Sequence, residues 1–446
     1  MRAPSLVRLL FPAALLVAAC SSDSAESADP AGMQPAIPRD YHQDAKAVLD
    51  HYCTNCHQAG GIAPFALTDY ESVKNHAPAI QAAVASGKMP PWLPSDDSMS
   101  FRYERKMPAQ DKQILLDWVK GGANEGDAKT ASRVTFPPVE LPAAPRPDLT
   151  LKMAEPYQPN QQLGDDYRCF IIDPGTSGSG LAADSYMQAA TVKPGAPQVV
   201  HHVIVFEIPA KNVADVRKKD DAEAGPGYTC FGGAGTNGAQ MITGWAPGGT
   251  VTRLQPDEGV LIHKGSIFVM QVHYNLLNFS GQSDVTSATI ELATTPPANQ
   301  VFLLPLANPS ALKIPAGDSD ASQVVPAPVS YLQQALKLPG PDVTIVSVAP
   351  HMHVLGTRIS VSLDNVPMID IPAWDFHWQQ SYFFQKPVIA HANQMLFLEC
   401  HYDNSASHQP VVGGKPQMPR DVSWGEGTLD EMCLSFLGIR FPRATP

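Results

Sequence analysis

The sequence predicts a multidomain chain: a small all-α unit followed by a long strand-rich region of antiparallel β-sandwiches. Three observations carry this expectation. The 446 residues are 44% hydrophobic, which is ordinary for folded protein and sufficient for two or three domains with cores of their own. Pro 43 and Gly 32 punctuate the chain heavily, which argues against a helical bundle. Beyond residue 148, short runs in which Val, Thr and Ile alternate with polar residues recur between Gly/Pro/Asn clusters. Lys+Arg 31 against Asp+Glu 43 gives a net charge of -12, which disfavours nucleic acid or an anionic membrane face as partner. The chain has no phosphate-binding glycine loop.

At the N-terminus, Arg2 and Arg8 flank the start of an apolar run, Leu9 to Ala19, too short to span a bilayer but suited to a signal-peptide core. It ends in Val17-Ala18-Ala19-Cys20, followed by a polar stretch from Ser21 to Pro30. Small residues before one cysteine resemble a bacterial lipobox. The resemblance implies loss of residues 1–19, acylation of Cys20, a tether over 20–35 and a membrane anchor through the lipid. Ser21 rather than an acid after Cys20 favours the outer membrane, so an exported lipoprotein at the periplasmic side of a membrane or the cell surface is expected. Export places the remaining six cysteines in an oxidising compartment. Cys53 and Cys56 belong to the motif below, and the other four allow three pairings. The sequence-local choice is Cys169 with Cys230 and Cys400 with Cys433, because each pair then lies within one expected domain.

Cys53-Thr54-Asn55-Cys56-His57 is a C-x-x-C-H string, in which two thiols attach a haem c covalently and the histidine ligates its iron. A redox dithiol or half of a zinc site lacks support, since no βαβ pattern surrounds the string and no second Cys/His pair follows nearby. Tyr41 to Tyr52 reads as one helix. Ala109 to Lys120 reads as another, with Ile114, Leu115, Trp118 and Val119 on one face before Gly121-Gly122. Two helices bracketing the motif resemble a small class I cytochrome c domain over residues 36–127, which implies a methionine as sixth iron ligand. Met89, in Gly87-Lys88-Met89-Pro90-Pro91-Trp92, is the expected one, ahead of Met99 and Met107; His51 and His76 read as solvated.

Residues 128–147 hold Phe136-Pro137-Pro138, Leu141-Pro142 and Pro145-Arg146-Pro147 with no periodic face, so they read as a semi-rigid linker. The clearest strands beyond are Val199 to Ile208, Ser266 to Tyr274, Val343 to Val348, Arg358 to Leu363 and Met395 to Cys400. Three strand-like segments carry histidines, the first of them Val199 to Ile208. Adjacent side chains alternate faces along a strand, so His201 and His202 can share a site only through a bulge or the strand's ragged start. Met270-Gln271-Val272-His273-Tyr274 carries the second, and Pro350-His351-Met352-His353 the third, where period two places His351 and His353 on one face and Met352 away. Asp430-Glu431-Met432-Cys433 adds a thioether. Imidazole suits several metals whereas thioether selects Cu(I), so the set favours copper.

The order His-His, Gln-x-His-Tyr, His-x-His and Met-Cys resembles the copper type II monooxygenases, the peptidylglycine α-hydroxylating and dopamine β-monooxygenase family, over about residues 148–446. The resemblance implies two jelly-roll-like sandwiches, here 148–310 and 311–446, with two coppers facing each other across a wet cleft. His201, His202 and His273 would hold the electron-storing copper; His351, His353 and Met432 would hold the copper at which the co-substrate O2 reacts. It implies the same two disulfides as the local pairing. In the peptide-amidating relatives an arginine and a tyrosine anchor the substrate carboxylate, and here those positions hold Ala349 and Phe436. Loss of both partners, with Leu434 nearby, points to an uncharged, apolar small-molecule substrate.

The function expected is an O2-dependent hydroxylase whose fused haem passes electrons to the first copper, itself reloaded by an ascorbate-like reductant or a periplasmic redox protein. The competing class is a copper-binding electron-transfer protein of the cell surface without hydroxylase activity. A third, metal-stripped sandwiches that only bind carbohydrate or protein, conflicts with two complete ligand sets. His263, His377, His391, His401 and His408 fall outside the pattern and read as structural, with His401 beside Cys400 a candidate neighbour of the second copper.

Overall fold

Three β layers and one cluster of short helices make up the protein, described by a computed structural model over residues 38–59, 63–175, 180–276, 281–338, 340–412 and 414–443. The signal segment, Cys20 and the tether lie outside these residues.

The helical cluster begins where Asp40 accepts from Gln43 N at 2.7 Å, capping a π turn, Tyr41–Ala45, that continues as Lys46–Tyr52. Helices Tyr70–Asn75, Ala77–Ala85 and Ala109–Lys120 complete it. The last spans the residues its apolar periodicity marks, and its Leu115 and Trp118 are fully buried with Val48, Leu49 and Val73.

A five-stranded sheet orders Tyr228–Thr229, Asp165–Ile172, Ile267–Asn275, Val200–Ile208 and Gln240–Trp245. A four-stranded sheet orders Ala321–Pro328, Met395–Tyr402, Gly356–Leu363 and Val366–Ile371. Both pack on one nine-stranded sheet, whose first half buries Met187, Val260 and Ile290 against Val203, Ile242 and Met270. Its second half buries Ile345, Val348 and Ile439 against Ile359, Ile369 and Leu398. The halves join by a short parallel contact of Glu258 and Gly259 with Asn299 and Gln300. Strand Asn299–Ala307, assigned from sequence to the first copper unit, pairs along its whole length with the last strand, Leu434–Pro442. Thr295-Pro296-Pro297 marks a turn before it, but a turn alone does not show which unit the next strand joins.

Two segments without regular structure fix the helical cluster to the sheets. Residues 92–102 strap it to the C-terminal unit: Ser95 N donates to Asp370 O at 2.8 Å, Arg102 N to Phe383 O at 2.7 Å, and Gln385 N to Ser100 O at 2.8 Å. Phe101 lies 5.3 Å from both Tyr382 and Phe384, ring centre to ring centre. The proline-rich stretch is pinned at both ends, by Arg133 on Asp44 and by Arg146 on Glu291. His51 and His76, expected in solvent, are half-buried: His51 stacks at 4.5 Å on Phe136 of that stretch, far off in sequence, and His76 at 4.1 Å on the nearer Phe65.

Phe101 is buried, so Phe101→Ala removes about 3–5 kcal/mol of packing. Hydrogen exchange is expected to rise across 95–102 before it rises in either sheet, and a uniform rise across the chain instead shows that the strap does not open separately.

Candidate metal centre

The register between Val200–Ile208 and Ile267–Asn275 slips between Val200 and His202, a bulge at the strand's start that turns both adjacent histidines toward His273. Nitrogen atoms of His201, His202 and His273 lie within 4.8 Å of one another. Ligand nitrogens on one ion at about 2.0–2.1 Å sit ~3–4 Å apart, so a small ring movement closes the set. His273 Nε2 faces Asp165 Oδ1 at 2.8 Å, which leaves Nδ1 directed at His202 Nδ1, 3.4 Å away. Both nitrogens of His201 are buried without a partner, an arrangement that a metal satisfies. Burial, reinforced by the neighbouring imidazoles, holds His201 and His202 well below the usual histidine range, so each keeps a lone pair for a cation.

The second set forms where strand Asp342–His351 ends. The rings of His351 and His353 lie 5.1 Å apart, while Met352 between them is fully buried in the hydrophobic core. His351 Nδ1 meets Gln379 Oε1 at 2.5 Å and His353 Nδ1 meets Asp430 O at 3.0 Å, so both Nε2 atoms remain for a metal. Met432 borders the same cavity, its loop held by the Cys400–Cys433 disulfide with Cα atoms 5.8 Å apart. Cys169–Cys230 is the other disulfide, so both sequence-local pairings are present. Glu431 is buried beneath the site and accepts from His353 N at 2.9 Å and Leu355 N at 2.6 Å, tying the histidine turn to the methionine loop.

One cavity of about 650 Å³ is bordered by His202 of the first set and by His351, His353 and Met432 of the second. The His202 and His351 ring centres are 6.3 Å apart, and Phe376 stacks on His201 at 4.2 Å while reaching within 6.1 Å of His353. Contacts across the units hold them together: Thr428 N and its hydroxyl donate to Asp165 at 2.9 and 2.5 Å, and Tyr167 donates to Glu426 O. Burial pushes the Asp165 carboxyl up, but His273 and Thr428 outweigh it and hold it below the usual range.

Leu303, Pro305, Leu434, Ala349 and Phe436 give the cavity apolar walls. Sequence reasoning missed Asp165, Gln379 and Phe376, and it missed Arg102 and Arg105, which reach the cavity from the N-terminal segment. An acid four residues before Cys169 and a Gln-Gln pair before Ser381 carry no recognisable spacing. His401, a candidate neighbour of the second metal, turns outward to Glu399 at 2.9 Å. His263, His377, His391 and His408 each lie against a carboxylate.

In the helical cluster Cys53 and Cys56 are unpaired, and burial pushes the Cys53 thiol up to about 12, unlike a reactive dithiol. His57 Nδ1 lies 3.1 Å from Phe65 O, so Nε2 is left for an iron. Free thiols beside an imidazole with one open nitrogen fit a covalent haem. Met89 is 38% exposed, whereas Met107 packs on the helical core and Met99 on the C-terminal core.

Residues 300–439 match the family model of copper type II ascorbate-dependent monooxygenase, C-terminal domain, which supports that family, copper as the metal and monooxygenation as the activity. No curated protein is matched. Among solved structures, Broad Bean Stain Virus is similar at TM-score 0.27 and 8% identity, covering 62% of this chain and 88% of that one. The major capsid protein P2 of bacteriophage PM2 is similar at TM-score 0.22 and 7% identity, covering 63% and 98%. At these scores neither bears on function.

Two outcomes follow from the geometry. Asp165→Asn leaves His273 without its orienting carboxylate and is expected to weaken metal binding ~10–100-fold in a competition titration, with the fold intact by circular dichroism. The second is a pH effect. An unfolded histidine takes its proton near 6.5, but burial lowers His351 to about 4 and His353 to about 3. The unfolded chain thus binds more protons in that window, so the metal-free protein loses stability as pH falls from 6.5 toward 4. Melting curves across the range check this, and the double variant His351→Gln/His353→Gln is expected to flatten the slope.

Proposed function

We propose that this protein is an exported copper monooxygenase that inserts one atom of O2 into a C–H bond of a small substrate, with electrons arriving through a haem c held at Cys53, Cys56 and His57. One observation carries the reading: an all-imidazole donor set reaches, through His202, the cavity with apolar walls that His351, His353 and Met432 border. Thioether and imidazole donors together favour a site that cycles through Cu(I). When bound, copper supplies one-electron chemistry and a place for O2 to react.

The protein's own groups supply orientation and exclusion of water. Asp165 fixes His273 with Nδ1 inward, Gln379 and the Asp430 carbonyl fix His351 and His353 with Nε2 free, and the disulfide at Cys433 restrains Met432. Leu303, Leu434 and Phe436 favour an uncharged, apolar reacting end on the substrate. Hydroxylation sends the second oxygen atom to water and consumes two electrons and two protons. A single haem stores one electron, so it is reloaded within each turnover by an ascorbate-like reductant or a periplasmic redox protein. Anchorage through Cys20, at the outer membrane, belongs to the same reading. The sequence-based expectation sent these electrons to the copper at His201, His202 and His273. The strap favours entry at the His351 side, since it docks the helical cluster on the C-terminal unit.

The test is the metal content of protein matured in a cytochrome-assembling host: two coppers and one covalent haem per chain are expected. X-ray absorption of the reduced protein should show a sulfur scatterer that Met432→His removes. Zinc in both sites after copper loading overturns the proposal.

A further inference from the structure

One end of the cavity carries more hydrogen-bond donors than the acceptors beside them can receive. Arg105, just beyond the strap, donates to Gln380 Oε1 and lies 5.4 Å over the Trp378 ring. A guanidinium has five N–H donors, and Arg105 makes no ion pair among the described residues. Beside it Gln380 and Tyr382 line the cavity and Trp378 adjoins them; Trp378 Nε1 is buried without a partner, and Gln380 Nε2 and Tyr382 Oη have none but each other. Burial pushes the Tyr382 phenol up to about 12, against a hydrogen bond from the Gln380 amide and the charge of Arg105, so the hydroxyl keeps its proton and can donate it while its oxygen accepts from Gln380.

The three neutral groups are buried and Arg105, half-buried, spends only part of its donor capacity on Gln380, so together they present one positive charge and three neutral donors. That set matches a singly charged planar oxyanion, which a guanidinium meets with two parallel hydrogen bonds; a phosphate dianion would leave charge uncompensated. The place is specific. Gln380 follows Gln379, which bonds His351, and on the other side Arg105 lies within electrostatic reach of Cys56.

We propose that Arg105, Gln380, Tyr382 and Trp378 form a carboxylate-binding site at the seam between the helical cluster and the C-terminal unit. Two sources have this chemistry: a haem propionate, or the acid group of a molecule entering the cavity with its apolar end toward His351 and His353. Naming these sources rests on the proposed function; the site itself does not. It also differs from the peptide-carboxylate anchor, whose positions are Ala349 and Phe436.

The test uses the full-length, haem-loaded, copper-free protein, its Arg105→Gln and Arg105→Lys variants, and Tyr382→Phe. Calorimetry compares phenylacetate with phenylacetamide, and potentiometry follows the haem. At least tenfold tighter binding of phenylacetate, lost in Arg105→Gln with the haem potential unmoved, identifies a free acid. A haem potential that falls in Arg105→Gln and recovers in part in Arg105→Lys, with neither compound bound by the parent protein, identifies a propionate, because an uncompensated carboxylate stabilises ferric haem. If Arg105→Gln and Tyr382→Phe change neither measurement, the donors are structural and the proposal fails. Neither readout needs copper or turnover, so a protein that loads no copper sinks the monooxygenase reading and leaves this test standing.

Discussion

Five neighbouring imidazoles, three of them on one cavity, set the terms for the rest of the molecule. A buried nitrogen without a partner costs about 1–3 kcal/mol, and His201 has two. His273, His351 and His353 each spend one nitrogen on a neighbour, Asp165, Gln379 and the Asp430 carbonyl, and each keeps the other open. Such a cluster is stable only if the surrounding frame resists collapse and water. The disulfides act as local counterweights: links spanning 61 and 33 residues each contribute about 4 kcal/mol in the loop-entropy account. Both lie beside the site rather than at the periphery. Cys169 is four residues from Asp165, and Cys433 follows Met432.

The frame also fixes the distance between the two sets. Asp165 sits on the five-stranded sheet and receives Thr428 from the methionine loop of the other unit, so the residue that orients His273 also holds the second unit in place. Glu431 does the equivalent within that unit by gathering the backbone of His353 and Leu355. A rigid-body opening between the units would break the Thr428 and Tyr167 contacts together and expose Phe376. Proximity of the two sets is therefore part of the packing, and it is maintained by polar contacts that need no metal.

What the sequence disclosed and what it hid follow one division. Local periodicity placed helix Ala109–Lys120 and strand Val200–Ile208 closely, and the rule that strand neighbours alternate required the distortion that occurs at His201. Helix Ala77–Ala85 went unread because alanine leaves little contrast between its faces, and Tyr70–Asn75 is too short to show a period. The ligand histidines were legible because their spacing is chemical. Asp165, Gln379 and Phe376 were not, since each acts through a contact between segments far apart in the chain. A single glutamine or phenylalanine looks the same whether it orients a ligand or faces solvent.

The least legible part, the irregular segment 92–105, changes the meaning of the N-terminal fusion. A helical unit on a free linker would need only exposed helices and polar turns near its end. Here Trp92 and Phe101 pack on Tyr382, Arg102 stacks over Phe383, and Arg105 reaches the cavity wall. Arg133 and Arg146 then hold the proline-rich stretch along the surface, so the fusion is fixed at three points rather than one. Removing the helical unit would uncover the aromatic edge of strand Tyr382–His391 and open the cavity beside Gln379 and Gln380. The N-terminal unit is thus a wall of the metal-site cavity, and the cavity's chemistry at that end belongs to both parts of the chain.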